Sequence, residues 1–261
     1  GDYKKSIQAY TQLEKRIGVN PEISIEKILA IALSGDMEGV EEAFQVLHQK
    51  FPMNDELYFK EGALYYNLFD NVEKSIVCFE KTLSINPDHA DALRYACDLY
   101  DRMGEKAKVD ETMVRIFGSK SIPWNEKKEL LKIALNYYKP RPNYTDIMST
   151  IFKKMVMADS GNEEIWAVYY EFLVMTNNKE EAFEAMNACI EMMPTCETCH
   201  MERYTLSEQI RNTQEREQLL DETLMALPNH PLFLCSKAIF RYTEKDPLWE
   251  AYALRSVENI N

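Results

Sequence analysis

Apolar and small side chains recur along this chain at the spacing of one face of an α-helix. The clearest such face has members at positions i, i+3, i+4 and i+7, which are Phe59, Gly62, Ala63 and Tyr66. A second face follows the polar pair at 70–71 and carries Ser75, Phe79, Thr82 and Leu83. Asn86-Pro87 ends it, because proline disfavours helical geometry in the preceding residue. We therefore predict two antiparallel helices between Glu56 and His89, which their small residues allow to approach closely.

The turn between such helices returns with a nearly constant period. In the first half, turns 34, 35 and 34 residues apart are Gly1-Asp2-Tyr3, Gly35-Asp36-Met37, Asp70-Asn71-Val72 and Gly104-Glu105-Lys106. In the second half, turns 34 residues apart are Asn177-Asn178-Lys179, Arg211-Asn212-Thr213 and Lys245-Asp246-Pro247. A period in this range indicates a stacked array, in which each helix pair buries its apolar face against its neighbours.

The positions within each period resemble those of the tetratricopeptide repeat. That family places a large residue, a small residue and a tyrosine on the first helix, small and aromatic residues on the second, and a closing proline. A later unit fills the same positions with Trp166, Tyr170, Leu173, Ala182, Met186, Cys189 and Pro194. The resemblance implies an all-α fold, a right-handed α–α superhelix of about fifteen antiparallel helices.

The array is expected to be one solenoid over residues 1–261. Regular repeats are predicted for 1–117 and 163–261, and a lengthened, irregular hairpin for 118–162, with helices at Asn125–Tyr138 and Tyr144–Asp159. Residues 1–7 are typical of the turn and second helix of a hairpin whose first helix is missing, and 247–261 of another second helix. We therefore expect the sequence to be a fragment of a longer chain.

Charge excludes one class of partner. The net charge is −13, whereas nonspecific nucleic-acid binding needs a basic surface, so we predict no nucleic-acid partner. The segment 120–154 runs against this balance with eight basic and three acidic residues. It could steer a partner or form an ordinary solvated face, and Tyr137, Tyr138 and Tyr144 would make it more adhesive if they were exposed. No apolar run is long enough to predict membrane insertion.

No motif of a hydrolase, a phosphate-binding loop or a zinc protease occurs in the sequence, so no catalytic residues and no enzyme activity are predicted. One motif does invite a chemical interpretation. Cys196-Glu197-Thr198-Cys199-His200 matches the attachment sequence of c-type haem.

Several alternatives compete for this motif. Cys196, Cys199 and His200 could hold haem, or could bind zinc together with His230, or the two cysteines could form a disulfide or stay unliganded. The repeat register offers a structural explanation, because His200 falls where the family places its first large apolar residue. We therefore expect no cofactor, and keep a redox, metal or haem protein as the alternative function.

The resemblance also implies where a partner would bind. First helices line the concave face in this family, and the residues expected there are Lys60, Leu64, Asn67, Arg94, Asp98, Asp101, Glu171, Val174, Met201, Thr205, Ile239 and Tyr242. Members that bind acidic chaperone tails place Lys and Asn at set positions on these helices. Here Lys60 is present but Leu64 replaces the Asn, so that ligand class is not expected.

We therefore predict a non-catalytic scaffold that binds a peptide or protein partner in the concave groove. A repeat appendage of an enzyme outside this fragment is a further alternative. The exposed ends of the array could also support self-association. The style of the repeats resembles that of bacterial envelope proteins, Bacteroides-like ones among them, which would place the chain in the periplasm or cell envelope.

Overall fold

The computed structural model describes residues 2–260, which contain fifteen α-helices and no strand. The first turn residue predicted above, Gly1, lies outside the described residues. The helices are α1 (Tyr3–Ile17), α2 (Pro21–Leu33), α3 (Met37–Lys50), α4 (Asp55–Phe69), α5 (Val72–Ile85), α6 (Ala90–Arg102), α7 (Lys106–Gly118), α8 (Trp124–Tyr138), α9 (Tyr144–Ala158), α10 (Glu163–Met175), α11 (Lys179–Met192), α12 (Glu197–Ile210), α13 (Thr213–Ala226), α14 (Pro231–Thr243) and α15 (Trp249–Glu258). The predicted all-α class and helix number are confirmed. The chain divides into two compact units, Gly1–Ile133 and Ala134–Asn261.

In the first unit each helix packs against the next along the chain from α1 to α7, and α2 also contacts α4. Hairpins form from α2 with α3, α4 with α5 and α6 with α7, and α1 packs on α2. In the second unit the successive helices from α9 to α15 pack in the same way, and α10 also contacts α12. Below, the even-numbered members α2 to α14 are called first helices and their odd-numbered partners second helices.

The periodic turn residues share an unusual backbone conformation. Five of them end a first helix with a positive φ: Gly35 at 86°, Asp70 at 45°, Gly104 at 75°, Asn177 at 60° and Lys245 at 61°. In this left-handed region glycine has no steric cost and Asp and Asn have a small one. A single left-handed residue stops the first helix and turns the chain toward the second. The repeat period seen in the sequence is therefore the spacing of these helix stops.

Side-chain caps start many of the helices that follow. Asp36 accepts a hydrogen bond from the Gly39 amide at 2.9 Å, and Asn71 accepts one from the Lys74 amide at 3.0 Å. Asn212 forms a full capping box with Glu215. These bonds satisfy amides that the helix itself leaves without acceptors. Turn and cap together explain why Gly-Asp and Asp-Asn pairs mark the period.

The repeat positions form the cores of the hairpins. Phe59 and Phe79 are buried, with 8% and 0% of their surfaces exposed, and their ring centroids lie 5.8 Å apart. Another buried cluster joins the helices α2, α3 and α4; it contains Ile28, Ala32, Val40, Phe44, Leu47, Leu57 and Leu64. Such layers are shared between successive hairpins, as stacking requires. None of the helices in the described part combines the length and apolarity needed to cross a membrane.

Candidate functional site

The first helices of the first unit are joined by polar contacts between residues 32 or 33 positions apart. The Tyr66 hydroxyl donates a hydrogen bond to Asp98 at 2.8 Å, so α4 is fixed beside α6. One turn further, Arg102 donates to Asp70 at 3.0 Å, and its guanidinium lies 5.6 Å from the centre of the Tyr66 ring. The exposed side chains of α4 and α6 therefore share one continuous face.

Most of the predicted binding residues of this unit reach that face. Lys60, Asn67, Asp98 and Asp101 are exposed. Arg94 is half-buried, and pairs with Asp91 at 2.7 Å and with Glu126 of α8.

Leu64 is the exception, and its assignment to the binding face is wrong. Only 9% of its surface is exposed, and it belongs to the buried cluster of α2, α3 and α4. Because α2 lies against α4, the Leu64 position faces the preceding first helix rather than solvent. A leucine there contributes to stacking and is not available to a ligand.

The first helices of the second unit present a more apolar face. Glu171, Thr205 and Ile239 occupy equivalent positions of α10, α12 and α14, and all three are exposed. Val174 and Tyr242 mark a second row, with 37% and 64% of their surfaces exposed. Met201 is half-buried.

Contacts between neighbouring helices make this face continuous. The Tyr170 hydroxyl of α10 donates to the Glu202 carbonyl of α12 at 3.5 Å. Between α12 and α14, His230 lies 2.8 Å from Glu197, and the ring of Tyr204 meets that of Phe233 edge-on at 5.9 Å. The exposed first-helix residues of this unit form one surface, called below the apolar first-helix face: Glu171, Val174, Thr205, Ile239 and Tyr242.

A cavity of about 350 Å³ opens beside this face. Its walls come from the end of α8, from α9 and from α10, and include Leu135, Tyr144, Phe152, Val168, Glu171, Phe172 and Met175. Burial raises the pKa of Tyr144, whose ring meets Phe172 edge-on at 5.7 Å. The cavity is mostly apolar, with the Glu171 carboxylate and the Lys139 ammonium group at its edge, so its chemistry suits an apolar side chain. Sequence reasoning predicted only Glu171 of this set.

A larger groove of about 1070 Å³ lies on the other side of the hairpins in the first unit. It runs between the second helices α3 and α5, and α4 forms its floor. His48 stacks on Tyr58 with ring centroids 3.9 Å apart and contacts Glu61 at 2.7 Å. The remaining carboxylates on its walls are Glu38, Glu41, Glu42 and Glu73. This acidic groove was not predicted, because the resemblance to the tetratricopeptide repeat implied a binding surface on the first helices only.

The groove does not contain an activated nucleophile. Cys78 lines it, but burial raises the pKa of this thiol, and the nearby Glu61 carboxylate acts in the same direction. The thiol is therefore uncharged near neutral pH, whereas nucleophilic cysteines need a lowered pKa.

The structure corrects the predictions for the Cys-x-x-Cys-His segment. Cys199 forms a disulfide with Cys189, ten residues earlier on α11, and not with Cys196. Cys196 caps the start of α12, where its sulfur accepts from the Cys199 amide at 3.3 Å. The packing position assigned to Cys189 is indeed fully buried, but its side chain is covalently linked.

His200 cannot serve as the haem or zinc ligand of the alternative interpretation in this arrangement. Its Nε2 lies 2.9 Å from the Pro194 carbonyl and its Nδ1 lies 3.2 Å from the Thr223 hydroxyl. Arg203 donates to the same hydroxyl at 3.1 Å, so Thr223 donates to Nδ1 and Nε2–H donates to Pro194. Both nitrogens of the buried imidazole are engaged. The metal or haem set of Cys196, Cys199 and His200 is therefore not assembled.

The basic segment is less exposed than its composition suggests. Lys127 is buried and donates to the Ser119 carbonyl. Tyr138 is fully buried and Tyr137 half-buried, and the Arg141 guanidinium lies 4.7 Å and 4.9 Å from their rings. The tyrosines thus contribute mainly to packing around the proline turn.

Comparisons with known proteins give matches of fold only. No family model and no curated protein matches the chain. Among solved structures it is similar to a tetratricopeptide repeat protein from Parabacteroides merdae, with 17% identity, 92% and 91% of the two chains covered and a TM-score of 0.39. It is also similar to the PilF protein of Pseudomonas aeruginosa, with 17% identity, 79% and 77% coverage and a TM-score of 0.35. It is similar as well to the TPR2AB domain of yeast Sti1, with 11% identity, 98% and 92% of the two chains covered and a TM-score of 0.35.

These TM-scores are too low to transfer a ligand or a partner. The assignment of the repeat rests on the chain's own features: the turn period, the left-handed helix stops, and the packing of each helix on the next within both units. Together these features give each unit a helical-repeat architecture of stacked antiparallel helices, which resembles that of tetratricopeptide repeat proteins.

Proposed function

We propose that this protein is a non-catalytic scaffold that binds a peptide segment of a protein partner on its apolar first-helix face. One observation carries the proposal: Val174 on α10 and Ile239 and Tyr242 on α14 expose apolar surface at equivalent positions of the repeat, on either side of α12. Aligned apolar residues on the surface mark interaction sites more often than scattered ones do. Tyr242 is also held edge-on against Trp249 at 5.4 Å, so this aromatic side chain is already ordered before a partner binds.

The cavity beside α10 supports the same proposal. It can receive one apolar side chain of a peptide, while Glu171 and Lys139 at its edge can pair with charged residues on either side of that side chain. An anchor residue in a pocket and polar contacts around it are the usual arrangement of peptide recognition. We therefore expect the preferred peptide to contain a large apolar residue flanked by charged residues.

Selection from a random peptide library on the purified chain, followed by calorimetric titration of the selected peptides, tests this proposal. Ile239→Asp and Tyr242→Ala should each weaken binding at least about tenfold, because both remove apolar contact area. Met225→Asp is the matched control, since Met225 is 83% exposed on the second helix α13. Selected peptides that bind both face variants normally, or a library that yields no binder, would contradict the proposal.

The acidic groove between α3 and α5 is the rival surface. Val77 is 63% exposed within its walls, so Val77→Asp adds charge there without disturbing the core. We expect this variant to bind the selected peptides like the wild type. A loss of affinity confined to Val77→Asp would assign peptide binding to the acidic groove instead.

A further inference from the structure

Three cysteine sulfurs meet in the interior of the second unit. Cys189 comes from α11, Cys196 from the cap of α12 and Cys199 from the first turn of α12, and their sulfurs all lie within 4.8 Å of one another. All three are buried, with 0%, 3% and 2% of their surfaces exposed. The Sγ atoms of Cys196 and Cys199 are 2.9 Å apart.

The odd number of sulfurs is the informative feature. A disulfide that only links α11 to α12 needs two cysteines, and the Cys189–Cys199 bond supplies them. Cys196 then places a third sulfur against that bond, although Ser, Thr, Asp or Asn would cap the helix at least as well. We propose that the reduced form of this three-cysteine cluster is a binding site for a single Cu(I) ion.

The geometry matches such an ion. Thiolate sulfurs bind metal ions of this size at about 2.3 Å, so three of them around one ion lie about 4 Å apart. In the oxidised form the sulfurs of Cys189 and Cys199 are bonded, and those of Cys196 and Cys199 are 2.9 Å apart. Once the disulfide is reduced, these two pairs must separate to about 4 Å, which rotations of the cysteine side chains provide while all three sulfurs stay in one cluster. Because the three sulfurs come from two helices and the loop between them, the hairpin fold itself positions them.

The chemistry of the ligands selects the metal. Thiolates bind both Cu(I) and Zn²⁺, but structural zinc takes four protein ligands. The adjacent imidazole is not a fourth ligand, because both nitrogens of His200 are engaged by Pro194 and Thr223. A buried site with three sulfurs and no further donor therefore suits Cu(I) better than Zn²⁺.

Formation of the site requires reduction of the disulfide. A dithiol reductant supplies two electrons and two protons, the Cys189–Cys199 bond breaks, and the reductant closes into its own disulfide. Binding of Cu(I) then replaces thiol protons, which pass to solvent. The backbone amide of Cys199, which points at the Cys196 sulfur, stabilises negative charge on that sulfur.

Anaerobic titration of the dithiol-reduced, desalted chain with Cu(I), in competition with bicinchoninate, tests this site. We expect one Cu(I) per chain, and a loss of at least about 100-fold in affinity for Cys189→Ser, Cys196→Ser and Cys199→Ser. Cys235→Ser is the matched control, since Cys235 is exposed on α14. Equal affinity of the wild type and Cys196→Ser would overturn the proposal, as would the absence of tight binding.

A second measurement does not depend on the folding of any variant. X-ray absorption at the copper edge of the wild-type protein should show three sulfur neighbours. Two sulfur neighbours, or nitrogen and oxygen neighbours, would show that copper binds elsewhere and would overturn the proposal.

Discussion

Gly62 on α4 lies against the ring of Phe79 on α5, with no room for a side chain between them. A β-carbon at residue 62 would stand 2.9 Å from that ring and 3.0 Å from the β-carbon of Cys78. Phe79 cannot move aside, because it is fully buried and stacks on Tyr95 with centroids 5.1 Å apart. This close contact explains why a glycine occupies the middle of a helix.

We expect Gly62→Ala to destabilise the protein by about 1–2 kcal/mol. Overpacking costs more than the roughly 1 kcal/mol that alanine contributes to helix formation. Thermal unfolding followed by circular dichroism should show a midpoint lower by a few degrees. Gly161→Ala is the control, since a β-carbon there meets no atom within 4 Å. A midpoint for Gly62→Ala equal to that of the control would refute this packing account.

Lys245 has a φ of 61° at the end of α14, a conformation that carries a steric cost for lysine. Lys245→Gly should therefore raise the free energy of unfolding by about 1 kcal/mol. Urea unfolding of the variant checks this expectation. Arg211 occupies the equivalent turn but has a φ of −122°, so Arg211→Gly should be neutral or destabilising. Stabilisation by both substitutions would mean that the left-handed turn is not the cause.

Lys237 is buried on α14 between the carboxylates of Glu217 and Asp221, at 2.8 Å and 2.7 Å. Lys237→Ala removes a buried cation that balances the charge of two carboxylates. We expect the free energy of unfolding, measured with urea, to fall by about 3 kcal/mol. The comparison is Lys132→Ala, which breaks a solvent-exposed pair with Glu129 and should cost less than about 0.5 kcal/mol. Similar losses for the two variants would contradict the role given to burial.

Because of the same ion pair, we expect the stability of the fold to decrease in acid. The hydrogen bond from Lys237 holds the pKa of Glu217 below its ordinary value of 4.5. The stability from this pair is therefore present above about pH 4.5 and is lost as the pH falls through the lower folded pKa. In Lys237→Ala, the free energy of unfolding should change less between pH 5 and pH 3 than in the wild type.

The stability of the fold should also depend on pH nearer neutrality, because of His200. Burial lowers the pKa of His200, so its neutral form is favoured in the folded chain. The unfolded chain binds the proton first as the pH falls below about 6.5, and stability should decrease by up to about 1 kcal/mol between pH 7.5 and 5.5. His200→Gln can keep both hydrogen bonds without titrating, so its urea midpoint should change less over this range. An equal change in the two proteins would show that His200 is not responsible.

The turn residues explain how much of the fold could be predicted from sequence. Four of the five left-handed stops occur at Gly, Asp or Asn, residue types that favour this conformation, and Lys245 is the exception, so most helix boundaries could be placed within a few residues. The predicted hairpin at 125–159 is an example, because α8 and α9 end within one residue of the expected bounds.

Tertiary relationships were harder to predict. The Cys-x-x-Cys-His spacing directs attention to Cys196 and His200, whereas the disulfide joins Cys199 to Cys189 across the turn between two repeats. The resemblance to the tetratricopeptide repeat placed Leu64 at an exposed position, yet the packing of α2 on α4 buries it. The acidic groove and the cavity beside α10 depend on which helices are neighbours and on how far apart they lie. Neither property can be read from residue spacing.

Hydrogen exchange measured by mass spectrometry on the chain with a selected peptide tests the central claim most directly. We expect slower amide exchange on peptide binding in the first helices α10, α12 and α14. Protection confined to the second helices α11, α13 and α15, or to the acidic groove between α3 and α5, would contradict it.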